Sequence, residues 1–222
     1  MDATILLFDL DGTLVDSVPD LTKSLNQVLA EHGYPPLTPA EVAPMVGDGV
    51  PALVQRGFAA RGGSIAEAAD ALPRYVAIYE DHATDLTRPY PGVPETLAAL
   101  RRQGYCTAVC TNKLQQASET VLDRLGLAAL FDAVAGGDRY EVKKPDKGHL
   151  LRLIAELGGT AAHAVMIGDS ENDAAAAHAA AVPLVIMRYG YARHGPAALG
   201  ADAVLDTFPE LPSALERLGV AP

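Results

Sequence analysis

The chain has 222 residues, 49% of them hydrophobic and 20% charged, which suits a globular protein and excludes a disordered one. Its 28 acidic residues against 17 basic ones leave a formal charge of −11, which argues against a broad nucleic-acid or anionic-membrane surface. A bound phosphate must therefore be held by a local site that works against the overall field.

The length fits one large domain or a domain carrying an insert. The opening Met-Asp-Ala-Thr lacks the basic region of a signal peptide. No apolar stretch reaches the roughly 18 residues of a membrane span. A cytoplasmic protein is expected.

Residues 4–8 form a short run apolar on both faces, the pattern of a central parallel strand. Asp9-Leu10-Asp11-Gly12-Thr13 follows directly. Two carboxylates two residues apart beyond a strand end point into the same crevice, and Gly12 allows a tight turn. From about Val18 to Thr84 no strand is evident. Leu21, Leu25, Val28 and Leu29 line one face of a helix ending near Gly33. Thr38 with Glu41, and Ser64 with Glu67, are capping boxes that open two further helices. This stretch reads as a helical insert, with connections near residues 16–19 and 84–92.

Beyond it, strand and helix patterns alternate. Strands are predicted at 105–110, 133–135, 164–167 and 184–187, and helices at 94–103, 114–125, 147–157 and 172–180. That order predicts an α/β fold with a Rossmann-like parallel sheet, whose ligands gather outside the carboxyl ends of the strands. Cys106 and Cys110 fall on one face of a strand about 13 Å apart, too far for a disulfide, and read as small buried apolar residues.

Three more segments carry chemistry. Thr111-Asn112 offers a hydroxyl and an amide to a phosphate oxygen. Lys143-Lys144-Pro145, beyond Gly136-Gly137, offers a point cation. Gly168-Asp169-Ser170-Glu171-Asn172-Asp173 reads either as a helix N-terminus with acids in its first turn or as a second acidic cluster. Two carboxylates about 4 Å apart repel by roughly 4 kcal/mol at an effective dielectric near 20. Convergence of Asp9, Asp11, Asp169 and Asp173 therefore demands a counter-ion, and an all-oxygen set near phosphate favours Mg²⁺. No Gly-x4-Gly-Lys-Ser/Thr loop occurs, and the six histidines show no metal-ligand spacing.

Residues 9–17 (Asp-Leu-Asp-Gly-Thr-Leu-Val-Asp-Ser), Thr111-Asn112, Lys144-Pro145 and Gly168-Asp169-Ser170-x-Asn172-Asp173 resemble, in order, the four motifs of the haloacid-dehalogenase superfamily. The insert resembles that superfamily's small α-helical cap, giving a catalytic core of residues 1–16 with 86–222 and a cap of residues 17–85. Residues 16–21, 33–38, Val46-Gly47-Asp48-Gly49 with Leu53-Val54-x-Arg56, and Tyr189-Gly190-Tyr191 resemble its phosphoglycolate phosphatase branch. Asp48, Asp146-Lys147 and Ala192 depart from that branch's pattern.

The resemblance implies a Mg²⁺-dependent phosphomonoester hydrolase acting on a small phosphorylated metabolite, with 2-phosphoglycolate foremost. A sugar phosphate, pyrophosphate, a β-phosphoglucomutase-like isomerisation and a silent binding module are the alternatives. It implies Asp9 as nucleophile, Asp11 as a general acid that holds a proton at the first step, and Lys144 as the catalytic cation. Asp9, the backbone carbonyl of Asp11, and Asp169 are implied metal ligands, with Asp173 in the metal's outer shell. Thr111, Asn112 and Gly12 are implied substrate-binding positions, and Arg56 or the amides of residues 47–49 are set to meet the substrate's carboxylate. Neither nucleic acid nor membrane is an expected partner, and a monomer or homodimer is expected.

Overall fold

The computed structural model describes residues 3–222; Met1 and Asp2, with which the reading of the N-terminus begins, lie outside the described residues. Six parallel strands form one sheet, ordered β5-β4-β1-β6-β7-β8. These are β1 (Ile5–Phe8), β4 (Cys106–Cys110), β5 (Ala133–Ala135), β6 (Ala164–Gly168), β7 (Leu184–Met187) and β8 (Ala203–Leu205). The sequence pattern had indicated the first five of these. The sixth is only three residues long, too short for periodicity to mark it.

Strand β1 sits at the centre because every residue from Ile5 to Phe8 is buried, with a neighbour on either side and a layer above and below. Its side chains alternate between two cores. Leu6 and Phe8 pack with Val109, Val165 and Ile167 on one face; Ile5 and Leu7 pack with Ala108, Cys110 and Met166 on the other. Helices α5 (Val93–Gln103), α6 (Gln115–Arg124) and α9 (Leu211–Arg217) contribute to the first face, and α7 (Lys147–Glu156) and α8 (Glu171–Ala180) to the second. The chain is thus a helix–sheet–helix α/β fold. Cys106 and Cys110 are both free thiols, and burial pushes the Cys110 thiol up to about 12.

Register aligns the chemistry. Phe8 lies beside Val109 of β4 and Ile167 of β6, so the residues that follow emerge together at one sheet edge. The strand order also reverses here, since β1 is followed in sequence by elements on both sides of it. Crevices form at such a point.

Between β1 and α5 lie four helices, α1 (Val18–Glu31), α2 (Pro39–Val42), α3 (Val50–Ala59) and α4 (Ile65–His82). Both anticipated capping boxes are present, at Thr38/Glu41 and Ser64/Glu67. The helix opened at Thr38 runs only one turn, because Pro44 lacks the amide that its next turn needs. A loop through Gly47-Asp48-Gly49 then leads into α3. The two crossings into and out of these helices are tied together. Strand β2 (Val15–Asp16) pairs antiparallel with β3 (Arg88–Pro89). The buried Asp20 carboxylate accepts bonds from the amides of Leu86 and Thr87 and from the Thr87 hydroxyl, the last two at 2.7 Å.

Candidate active site

Asp9, Thr111 and Asp169 leave the ends of β1, β4 and β6, three adjacent strands. One oxygen each from Asp9, Asp169 and Asp173 lies within 4.8 Å of the other two, and all three residues are buried. Lys144 enters the same space with its side chain only 1% exposed, its Nζ 2.6 Å from Asp173 Oδ1 and 3.2 Å from Asp9 Oδ1. The loop that delivers it is fixed from behind, where the Lys144 amide donates to His149 Nδ1 at 3.3 Å. Burial, with the charge of Lys144 beside it, lowers the pKa of His149 to about 4, so its ring stays neutral.

Three buried carboxylates against one ammonium leave an imbalance. Burial pushes the Asp9 carboxyl up to about 6; Lys144 opposes that shift and the charge of Asp173 adds to it. Burial, then the charges of Asp173 and Asp9, hold the Asp169 carboxyl well above the ordinary range. The Lys144 ammonium is held up by Asp173 and Asp9, although burial alone would lower it. The donor set is all oxygen, compact and negatively charged, and it fits a hard divalent cation.

The individual bonds separate the carboxylates by role. Asp173 Oδ2 accepts from the amides of Asp169 and Ser170 at 3.1 and 3.0 Å and from the Ser170 hydroxyl at 2.7 Å, while Oδ1 takes Lys144. Both of its oxygens are engaged, so it orients the loop and the lysine. Asp169 accepts one bond on each oxygen, from the Thr13 hydroxyl and the Tyr191 amide, both at 2.7 Å, and keeps a lone pair on each. The two readings of residues 168–173 thus coexist: Ser170 and Asp173 cap α8 while Asp169 faces the crevice.

Gly12 and Gly190 enclose Asp169. A Cβ built on either would overlap its carboxylate, and Gly12 also has φ +87°. Gly12 therefore serves the approach of backbone to Asp169, in addition to any contact with substrate. Tyr191 adds a second tie, its hydroxyl donating to Asp16 at 2.9 Å and accepting from the Ser17 amide at 3.2 Å.

The Asp11 carboxylate does not join this cluster, so three of the four acids expected to converge do so. That carboxylate accepts from Lys113 Nζ at 3.1 Å on both oxygens, and Lys113 also donates to the Tyr79 hydroxyl of α4 at 2.6 Å. Lys113 follows the Thr-Asn pair directly but was not singled out in the sequence; the signal available was its place one residue beyond a strand-end donor pair.

The loop at 47–49 closes the crevice from the helical side. Asn112 Nδ2 donates to Gly47 O and to Lys144 O, both at 2.8 Å, so its side-chain donors are used in holding loops together. Asn172 Nδ2 donates to Asp48 Oδ1 at 2.6 Å, and Lys143 Nζ to Asp48 O at 2.9 Å. Arg56 and Arg193 both pair with Asp48 Oδ2, and Arg56 also donates to Met45 O at 2.8 Å. Against the desolvation of its partial burial, the bonds from Asn172 and Arg56 hold the Asp48 carboxyl below its usual value. Arg56 is thus brought to Asp48 and is not among the residues lining the cavity. Asp9, Asp11, Thr111, Asn112 and Lys113 line its core side; Leu21, Val46, Val50 and Leu53 line its helical side. The enclosed free space is small, about 40 Å³, room for a few waters.

Residues 6–187 match the family described as haloacid dehalogenase-like hydrolase. A phosphoglycolate phosphatase of Caulobacter vibrioides is 44% identical over 216 residues, covering 96% of this chain and 91% of the relative. One from Rhodospirillum rubrum is 44% identical over 230 residues, covering 98% and 95%. The crystal structure of a predicted phosphoglycolate phosphatase from Haemophilus somnus superimposes with a TM-score of 0.91 at 31% identity, covering 96% of this chain and 98% of that one. The chain belongs to the haloacid dehalogenase-like hydrolase family, and it is a phosphatase of that family.

Proposed function

We propose that the protein hydrolyses 2-phosphoglycolate to glycolate and phosphate, with Mg²⁺ bound and through a phosphoryl group carried on Asp9. The observation that carries this reading is the juxtaposition of Asp9, Asp169, Asp173 and Lys144, a buried anionic pocket with one cation at the ends of adjacent parallel strands. The names of the relatives support the substrate.

Asp9 is the nucleophile. One of its oxygens forms a bond to phosphorus as the ester P–O bond breaks, and the departing alkoxide takes a proton from Asp11. Water then attacks phosphorus, Asp11 takes its proton, and the bond from Asp9 breaks to release phosphate. Thr111, Lys144 and the backbone amide of Asn112 hold the phosphoryl oxygens, while Asp173 fixes the direction of Lys144. Asp9, the carbonyl of Asp11, and Asp169 would hold Mg²⁺, which when bound offsets charge on Asp9 and the phosphoryl group. Residues 17–85 act as a cap that excludes water from the leaving-group side.

Phosphate release from 2-phosphoglycolate, compared with a panel of sugar phosphates and pyrophosphate with and without EDTA, tests the reading. The highest kcat/KM is expected for 2-phosphoglycolate, with activity lost in EDTA and restored by excess Mg²⁺. A higher kcat/KM for another phosphate overturns the substrate; full activity in EDTA overturns the metal.

The raised Asp9 pKa adds a pH prediction. The metal-free folded protein keeps a proton on Asp9 that the unfolded chain has already lost between about pH 4 and 6, so in that window this group lowers stability as pH rises. Mg²⁺ must displace that proton. The rise in melting temperature on adding Mg²⁺ is expected to be larger at about pH 7.5 than at about pH 5. Equal shifts at both pH values contradict this.

A further inference from the structure

We propose that Lys113 is the receptor for a carboxylate on the leaving-group side of the substrate, exchanging Asp11 for that carboxylate as substrate enters. This rests on the phosphatase reading above and extends it to a specificity-determining residue. The helical wall of the cavity is apolar, formed by Leu21, Val46, Val50 and Leu53, and offers no charged partner to a second anion. Among the described residues lining the cavity, Lys113 is the one basic side chain.

The other nearby cations are committed. Lys144 stands between Asp9 and Asp173, where it serves the phosphoryl group, Lys143 donates to Asp48 O, and Arg56 and Arg193 both pair with Asp48.

Lys113 is placed for exchange. Its side chain is only 3% exposed, against 13% for Asp11. Its three donors meet Asp11 Oδ1, Asp11 Oδ2 and the Tyr79 hydroxyl, and Nζ stands 4.5 Å from the Tyr79 ring centroid. Tyr79 can keep hold of the ammonium while its anionic partner changes. A desolvated lysine is strongly disfavoured without an anion, so an incoming carboxylate can replace Asp11 where a neutral alcohol cannot. With a carboxylated substrate Asp11 is released to face the ester oxygen, taking from water the proton it then gives to the alkoxide; with a neutral one it stays bound to Lys113. Selection then acts on binding and turnover together.

The test compares kcat/KM for matched pairs, 2-phosphoglycolate with its amide and 3-phosphoglycerate with glycerol 3-phosphate, in the native protein, Lys113→Met, Lys113→Gln and Lys113→Arg. Lys113→Gln keeps a polar N–H donor without the charge, so it serves if the Met variant does not fold. The native protein is expected to favour the carboxylated member, and Met and Gln to reduce that preference on the order of 10- to 100-fold, with Arg restoring part of it. Preference unchanged in folded Met or Gln variants, with both members of each pair slowed equally, overturns the proposal and leaves the substrate assignment standing. A native preference for 3-phosphoglycerate over 2-phosphoglycolate, with the preference for carboxylates collapsing in the variants, overturns the substrate and supports Lys113. Absence of any native preference for carboxylates overturns both.

Discussion

Asp9→Asn is expected to reduce phosphate release by on the order of 10⁴-fold or more, because the amide cannot form the bond to phosphorus. The same variant is expected to melt in EDTA at about pH 7.5 no lower than the native protein. Two opposing effects decide this. The Asp9 carboxylate is desolvated and faces Asp173, and its raised pKa, about 6, shows that these outweigh its pairing with Lys144 at 3.2 Å. Asn at this position removes a charge that the metal-free fold is disfavoured in carrying, and Lys144 keeps Asp173 at 2.6 Å. Melting temperature and steady-state rate measured on the same preparation check both halves. Turnover near the native rate contradicts the nucleophile assignment, whereas loss of the fold contradicts the charge argument.

Lys144→Met is expected to be the more damaging change to the fold. Lys144 is the ammonium paired with Asp9 and Asp173 within the buried cluster. Removing one member of a buried, hydrogen-bonded ion pair typically costs about 3–5 kcal/mol, since the partner stays buried and uncompensated. The loss should be largest in EDTA and partly recovered by Mg²⁺, whose charge replaces that of the ammonium. Adding Asp173→Asn should restore stability by removing one of the stranded carboxylates, without restoring activity. Denaturant unfolding of the single and double variants, with and without Mg²⁺, checks this; a Lys144→Met protein as stable as the native one in EDTA contradicts it.

The strand-end residues were legible because a parallel sheet converts one-dimensional position into three-dimensional convergence. A buried apolar run announces a strand, and whatever follows it must lie at the crevice; Asp9, Thr111 and Asp169 were found in this way. Asp173 was legible as an acid in the first turn of the helix that follows, and its role came from the resembled motif; it lies in α8, whereas Asp169 precedes that helix. Lys144 is different. It follows no strand directly, and only its motif marked it out from Lys143, which the structure sends to Asp48.

Contacts between the helices and the core were not legible. The spacing between Asp48 and Asn172, or between Lys113 and Tyr79, is arbitrary until the helices fold back over the sheet. Arg56 illustrates the same point: its charge suggested a partner for a substrate carboxylate, but nothing local revealed that Asp48 lies close enough to take it. Asp48 also departs from the pattern of the resembled branch, and in this chain it draws two guanidinium groups onto the loop that covers the crevice. The short strands β2, β3 and β8 escaped because two or three residues give no period to read.

On the proposed mechanism, Asp9 is covalently bonded to phosphorus during turnover. Acid quenching of native protein mixed with 2-phosphoglycolate and Mg²⁺, followed by intact-mass and peptide-level mass spectrometry, tests it directly. The expected result is a transient gain of one phosphoryl group on the peptide containing Asp9, absent from Asp9→Asn. A phosphoryl group on a different residue, or one that persists in the Asn variant, contradicts the account.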